Sequence, residues 1–130
     1  MAHAQVRGHH PLADTTGDHQ WIHVDRDRIA RESPYGAPIA HGYYTLSIVA
    51  ALFFDLVEIK GMAMVVNYGL NRVRWPAPLK EGARYRLGCK LVEVKLAGQG
   101  HDALMQVTIE LEGKPKPACV AEVVYRFVGS

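Results

Sequence analysis

The side chains best suited to chemistry in this 130-residue chain lie in one short stretch, from Thr16 to Asp25. Carboxylates and imidazoles are groups that often transfer protons in enzyme active sites, and this stretch contains two of each. Asp18 and His23 are five residues apart. Neighbours on a helix face are three or four residues apart, so a folded loop must bring this pair together. The stretch is therefore a candidate site for acid–base chemistry.

Metal binding is a second chemistry to consider, because His19 and His23 are four residues apart. On a helix, two histidines at this spacing bind zinc together with a third ligand. No helix is expected beneath this pair, and neither Asp18 nor His41 lies at a convincing spacing for the third ligand. We therefore predict no metal at this site.

Two helices are expected to position these groups. Residues 12–25 are expected to form a loop, and Asp25 is a suitable N-cap for a short helix, Arg26 to Glu32, that ends before Ser33-Pro34. A longer helix is predicted from Ile39 to Glu58. Its middle is apolar around nearly the whole circumference, so other elements must cover most of its sides.

Four strands are predicted after the long helix. Apolar and polar residues alternate along these segments, as in strands that bury one face. The alternation shifts by one residue near Leu91-Val92, which predicts a β-bulge or a strong bend. The segments cover residues 62–75, 84–96, 103–111 and 119–127. Together the elements predict an α+β fold, the hot-dog fold, in which an antiparallel sheet wraps around one long buried helix.

Composition and charge limit the class of protein. The chain is 48% hydrophobic and 22% charged, as in a single globular domain, and its net charge of +2 is too small to indicate nucleic acid or a membrane surface as partner. Cys89 and Cys119 lack metal or redox spacing, and we expect free thiols. Residues 1–11 contain no apolar targeting segment. We expect a cytoplasmic protein with a loose segment over residues 1–11 and one domain over residues 12–130.

Three motifs occur in order along the first third of the chain: Gly17-Asp18, Ile22-His23-Val24-Asp25 and Ile39-Ala40-His41-Gly42. Each piece alone is weak, but the spaced combination resembles the MaoC-like dehydratase family. Residues 17–23, together with residues 67–74 and 117–122, are similar to the branch related to nodulation protein N. The resemblance covers residues 12–127.

The resemblance implies a reaction and a set of site residues. Members of the family hydrate or dehydrate acyl-coenzyme A thioesters in fatty acid metabolism, which implies an enzyme that interconverts trans-2-enoyl-CoA and (R)-3-hydroxyacyl-CoA. Asp18 and His23 would be the catalytic pair around one water molecule. Gly42, at the start of the long helix, would bind the thioester oxygen with its backbone N–H. His41 beside it would bind substrate, orient this turn or simply pack. No metal or redox cofactor is implied, since coenzyme A is part of the substrate.

The implied substrate is a thioester of coenzyme A or of an acyl-carrier protein. Arg72, Arg74 and Lys80 flank Trp75-Pro76, where they either meet the phosphates of coenzyme A or lie on a solvated strand face. A single hot-dog leaves sheet edges open, so we expect a homodimer or a higher homo-oligomer.

The sequence departs from the family pattern in two places. Gln20-Trp21 stands where many hydratases have Asn-Pro, and only 11 residues precede Leu12, so we expect the first strand and helix of the family to be shortened or replaced.

Two other functions remain open. One is a hot-dog thioesterase, which is disfavoured because Asp55 and Glu58 lie near the far end of the long helix. The other is a non-catalytic module that binds acyl thioesters.

Overall fold

The computed structural model describes residues 3–5 and 10–129 of the chain. This part consists of one antiparallel sheet and four helices, of which the fourth is the longest. In chain order the elements are β1 (His3–Gln5), α1 (His10–Thr16), α2 (Trp21–Val24), α3 (Arg26–Glu32), α4 (Gly42–Leu56), β2 (Met62–Arg74), β3 (Arg84–Ala97), β4 (Gly100–Leu111) and β5 (Cys119–Gly129).

The sheet has the strand order β1-β3-β4-β5-β2, and all neighbouring strands are antiparallel. Alternate side chains of β5 are buried, as expected for a strand with one face against a core. Val49, Leu52 and Phe53 of α4 belong to the same buried cluster as Leu87 and Tyr125 of the sheet. The sheet therefore packs around α4, and the predicted α+β hot-dog fold is confirmed.

The predicted strands and the short helix are confirmed, with strand bounds within three residues of those expected. The register of β3 against β4 shifts between Leu91 and Glu93, at the predicted β-bulge. α3 has the predicted bounds, and Asp25 caps it, since its Oδ1 accepts a hydrogen bond from the backbone N–H of Arg28 at 3.0 Å.

The loop predicted over residues 12–25 is wrong, because α1 and α2 occupy much of it. Pro11 lies in the first turn of α1, where a missing N–H costs no helical hydrogen bond. Thr15 and Thr16 donate their hydroxyls to carbonyls one turn back, at 2.8 Å each. Gly17, at φ 80°, ends the helix. Proline and glycine are common in loops and also at helix ends, so their presence here led to the prediction of a loop where the chain forms a helix.

Within the first eleven residues, the structure describes residues 3–5 and 10–11. β1 pairs with Arg84–Arg86 of β3, and α1 begins at His10. Residues 1–2 and 6–9 lie outside the described part. The division of the chain at residue 12 stays a prediction.

α4 begins at Gly42 and not at Ile39 as predicted. The preceding residues are held in an extended conformation: Ile39 forms an isolated bridge with Lys80, and the N–H of Ala40 donates to the carbonyl of Leu79 at 2.8 Å. One side of the helix is open to solvent. An exposed stripe, consisting of Tyr43, Ser47, Ala51 and Phe54, runs along it, whereas most of its other residues are buried or half-buried, as the prediction that most sides are covered requires.

Neither described cysteine forms a disulfide, which confirms the predicted free thiols. Burial raises the pKa of Cys119 to about 11, so this thiol stays protonated at neutral pH. None of the helices in the described part is long and apolar enough to span a membrane. The cytoplasmic location stays a prediction.

Candidate active site

Asp18 lies in the short loop between α1 and α2, with its carboxylate open to solvent. Its backbone N–H donates a hydrogen bond to the hydroxyl oxygen of Thr16, and its Oδ1 accepts one from the N–H of Gln20, both at 3.3 Å. These contacts turn the loop back on itself. About half of the side chain is exposed, at 54%, so water and a ligand can reach it.

His23 lies on α2 and is buried, with 6% of its surface exposed. Its Nδ1 is 2.6 Å from the backbone carbonyl of Ile39. Because a carbonyl can only accept, Nδ1 carries the proton, and Nε2 of the neutral ring keeps its lone pair. Burial lowers the pKa of His23, the bond to Ile39 opposes that change, and the neighbouring His41 lowers the pKa further. The ring is therefore suited to accept a proton at Nε2.

His41 joins these two residues. Its Nε2 donates to the backbone carbonyl of Asp18 at 2.9 Å and lies 3.9 Å from the carboxylate oxygen Oδ2. Its ring stacks on His23, with centroids 3.8 Å apart and planes inclined at 23°. Only 3% of His41 is exposed, and its buried Nδ1 has no hydrogen-bond partner. The structure thus brings together three of the residues that the sequence singles out.

The same three residues could also be considered as metal ligands. Each offers one ligand atom, and these atoms lie within 4.8 Å of one another. Zinc would require nitrogen lone pairs that converge on one point at about 2.0–2.1 Å. Stacked rings direct their in-plane lone pairs along nearly parallel lines, and one nitrogen of each ring already donates to a carbonyl. The geometry suits proton transfer better than coordination, and the predicted lack of a metal stays a prediction.

Gly42 is the first residue of α4, where backbone N–H groups have no partner within the helix. A Cβ on Gly42 would lie 2.9 Å from Cε2 of Trp75, so the indole packs directly against the glycine. Both residues line a cavity of about 390 Å³ that also contains His23, Tyr35 and Thr45. The sequence singles out Gly42 but misses Trp75 as part of the site. A large aromatic residue at a strand end beside a proline was the available signal.

The chain matches the model of the MaoC-like domain over residues 9–113. It belongs to this family. It is 49% identical over 118 residues to 3-hydroxyacyl-thioester dehydratase Z of Mycobacterium tuberculosis, a match that covers 90% of this chain and 78% of that protein. It is 43% identical over 112 residues to nodulation protein N of Rhizobium leguminosarum bv. viciae, with 85% and 70% covered. The suspected family and its branch are confirmed.

The fold of this MaoC-like domain is also that of a solved structure described as the (R)-hydratase from A. caviae involved in PHA biosynthesis. The TM-score is 0.75, with 95% of this chain and 91% of that one covered. The two sequences are 19% identical, so this similarity supports the fold alone.

Proposed function

We propose that this protein is a hydratase/dehydratase that interconverts trans-2-enoyl thioesters and (R)-3-hydroxyacyl thioesters. The observation that carries the proposal is the cluster of Asp18, His23 and His41 beside the first turn of α4. A chain 49% identical to a protein named 3-hydroxyacyl-thioester dehydratase supports the same reaction.

The proposed chemistry is acid–base addition of water to a conjugated double bond. One water molecule lies between the carboxylate of Asp18 and Nε2 of His23, and the pair removes a proton as the oxygen attacks C3. The negative charge then develops on the thioester oxygen, which accepts a hydrogen bond from the N–H of Gly42. Transfer of a proton from the pair to C2 completes the hydroxyacyl product. Dehydration is the same sequence in reverse.

A thioesterase is the less suitable alternative. Such an enzyme needs its acid near the thioester, but Asp55 is exposed near the end of α4, thirteen residues from Gly42. At 1.5 Å per residue this separates the two by roughly 20 Å along the axis. The buried side chains of α4 are Thr45, Val49, Leu52 and Phe53, which include no acid.

The thioester carrier is coenzyme A or an acyl-carrier protein, and the proposed reaction needs no metal or redox cofactor. Arg72, Arg74 and Lys80 are all exposed. Arg74 immediately precedes Trp75 at the wall of the cavity, where its positive charge is available to phosphate groups of the carrier.

The proposed assembly is a homodimer in which β2 pairs with β2 of a second copy. β2 is at one end of the sheet order, so its outer edge has no strand partner in the described chain. Met64, Tyr68 and Leu70 on this strand are large hydrophobic residues that are exposed in the single chain. The exposed stripe of α4, the element that precedes β2 in the chain, is a second uncovered surface. Pairing of two such edges removes a site of aggregation and covers apolar surface.

The deciding experiment measures two products from one panel of thioesters. Hydration of crotonyl-CoA and longer trans-2-enoyl-CoA substrates is followed by loss of the ultraviolet absorbance of the conjugated thioester. Release of free thiol from the saturated analogues is followed with a thiol reagent. Hydration without thiol release supports the proposal, thiol release supports a thioesterase, and tight binding without either reaction indicates a binding module.

A further inference from the structure

We propose that His41 is a positioning residue of this site: its Nε2–H holds the backbone of Asp18, and its ring holds the imidazole of His23. The role rests on the proposed function, because it concerns the same acid–base pair. It is distinct from direct contact with the substrate.

Asp18 needs such support because its other contacts are local. Within residues 11–129, its remaining hydrogen bonds run to Thr16 and Gln20, two residues away on either side. These bonds shape the loop and join it to Gln20, the N-cap of α2, but they do not connect it to α4. The bond from Nε2 of His41, which spans 23 positions of sequence, makes that connection.

His41 is itself fixed in place. Its carbonyl accepts hydrogen bonds from the N–H of Thr45 at 3.1 Å and from the hydroxyl of Thr45 at 3.4 Å, in the first turn of α4. Upstream, the N–H of Ile39 donates to the carbonyl of Ile22 at 3.2 Å, which ties this segment to α2. The imidazole is therefore supported on both sides while it contacts Asp18 and His23.

The hydrogen bonds define which ring atom matters. Nε2 donates to the carbonyl of Asp18, whereas Nδ1 is buried without a partner. Glutamine extends to about the position of Nε2 and can keep the donor, but it has no ring to stack on His23. Phenylalanine keeps a ring and has no donor. His41→Gln and His41→Phe therefore separate the two contacts.

The first experiment compares kcat and KM of both variants on an enoyl thioester. A displacement of about 1 Å can cost roughly a hundredfold in rate, so we expect His41→Phe to lower kcat by about tenfold to a hundredfold with little change in KM. His41→Gln should recover much of that loss. His101→Gln, at an exposed position on β4, is the matched control and should behave as wild type. Equal kcat for wild type and His41→Phe would overturn the proposal.

A double variant tests whether His41 acts through Asp18. In an Asp18→Asn background, His41→Phe should lower kcat by much less than it does in the wild-type chain, because groups that act as a unit are not additive. If His41→Phe lowered kcat by the same factor in the Asp18→Asn background as in the wild-type chain, the result would contradict the proposal and indicate a general effect on folding. Thermal unfolding of each variant accounts separately for loss of folded protein.

An NMR titration tests the positioning without any turnover. The titratable groups that face His23 are Asp18 and His41, and Tyr35 lines the same cavity. Because the neighbouring His41 lowers the pKa of His23, this pKa should rise in His41→Phe, and the amide signal of Asp18 should shift. Unchanged signals from both residues would overturn the proposal. A wild-type protein that hydrates no thioester would contradict the proposed function, while this titration would still decide the role of His41.

Discussion

The two ends of α4 are built differently. At its start, a few hydrogen bonds hold Asp18, His23 and His41 in a polar cluster. At its end, a cavity of about 630 Å³ is lined almost entirely by apolar side chains, including Phe53 and Leu87. Hydrogen bonds have direction and fix atoms relative to one another, whereas apolar packing gives stability without such precise orientation. We therefore expect changes at the start to affect activity and changes at the end to affect stability.

The largest expected effect is on activity at the polar end. Asp18→Asn and His23→Gln each remove a proton-transfer group, which contributes about 10²–10⁴-fold in typical enzymes, so kcat should fall in that range. Asparagine keeps the oxygen that accepts from Gln20, so the melting temperature of Asp18→Asn should stay near that of wild type. Steady-state kinetics and thermal unfolding measure the two effects. Full activity in both variants would exclude the proposed catalytic pair.

At the apolar end, Phe53→Ala should mainly reduce stability. Phe53 is 2% exposed, and its ring lies 4.9 Å from that of Tyr125. Replacement of a buried phenylalanine by alanine typically costs about 3–5 kcal/mol. Denaturant unfolding should show this loss, whereas kcat per folded molecule at low temperature should change little. A large loss of kcat with unchanged stability would contradict the contrast between the two ends.

Gly42→Ala should show both effects at a smaller scale, because its Cβ would lie 2.9 Å from the indole of Trp75. Overpacking of this kind typically costs about 1–3 kcal/mol, and a displaced first turn of α4 should also lower kcat. Trp75→Ala in the same chain removes the overlap and should return part of the stability. The single Trp75→Ala variant is the control. Stability of Gly42→Ala equal to wild type would show that this contact does not constrain the helix start.

The pH dependence tests the electrostatics of the polar end. The proposed base is neutral His23, and burial lowers its pKa below the usual 6.5. Since protonation removes the lone pair, kcat/KM for hydration should decrease only as the pH falls through that lowered value. An acidic limb centred well above pH 6.5 in the wild type would be inconsistent with His23 as the base.

The smallest expected effect is that of metal removal. The proposed reaction uses the chain's own acid and base, so exhaustive dialysis against a chelator should leave the hydration rate unchanged. A loss of activity that added Zn²⁺ restores would instead assign a metal to Asp18, His23 and His41.

The contrast between the ends also explains what the sequence could predict. Alternation of apolar residues reveals β3, β4 and β5, because burial of one face imposes a period of two. The predicted start of α4 is wrong because the helix start depends on the pairing of Ile39 with Lys80 and of Ala40 with Leu79, 41 and 39 positions away. The bond from His41 to Asp18 and the contact of Trp75 with Gly42 also join residues that are far apart in the sequence. Local patterns carry no record of such distant contacts.

Trp75 also provides an intrinsic fluorescent probe of the site. The chain has two tryptophans, and the ring of Trp21 lies 4.3 Å below the guanidinium of Arg28, whereas Trp75 is 42% exposed at the cavity. A bound acyl group would replace water against the indole of Trp75 and change its fluorescence. In a Trp21→Phe chain, the emission would come from Trp75. Titration with a saturated thioester, which has no double bond to hydrate, would then measure occupancy separately from catalysis.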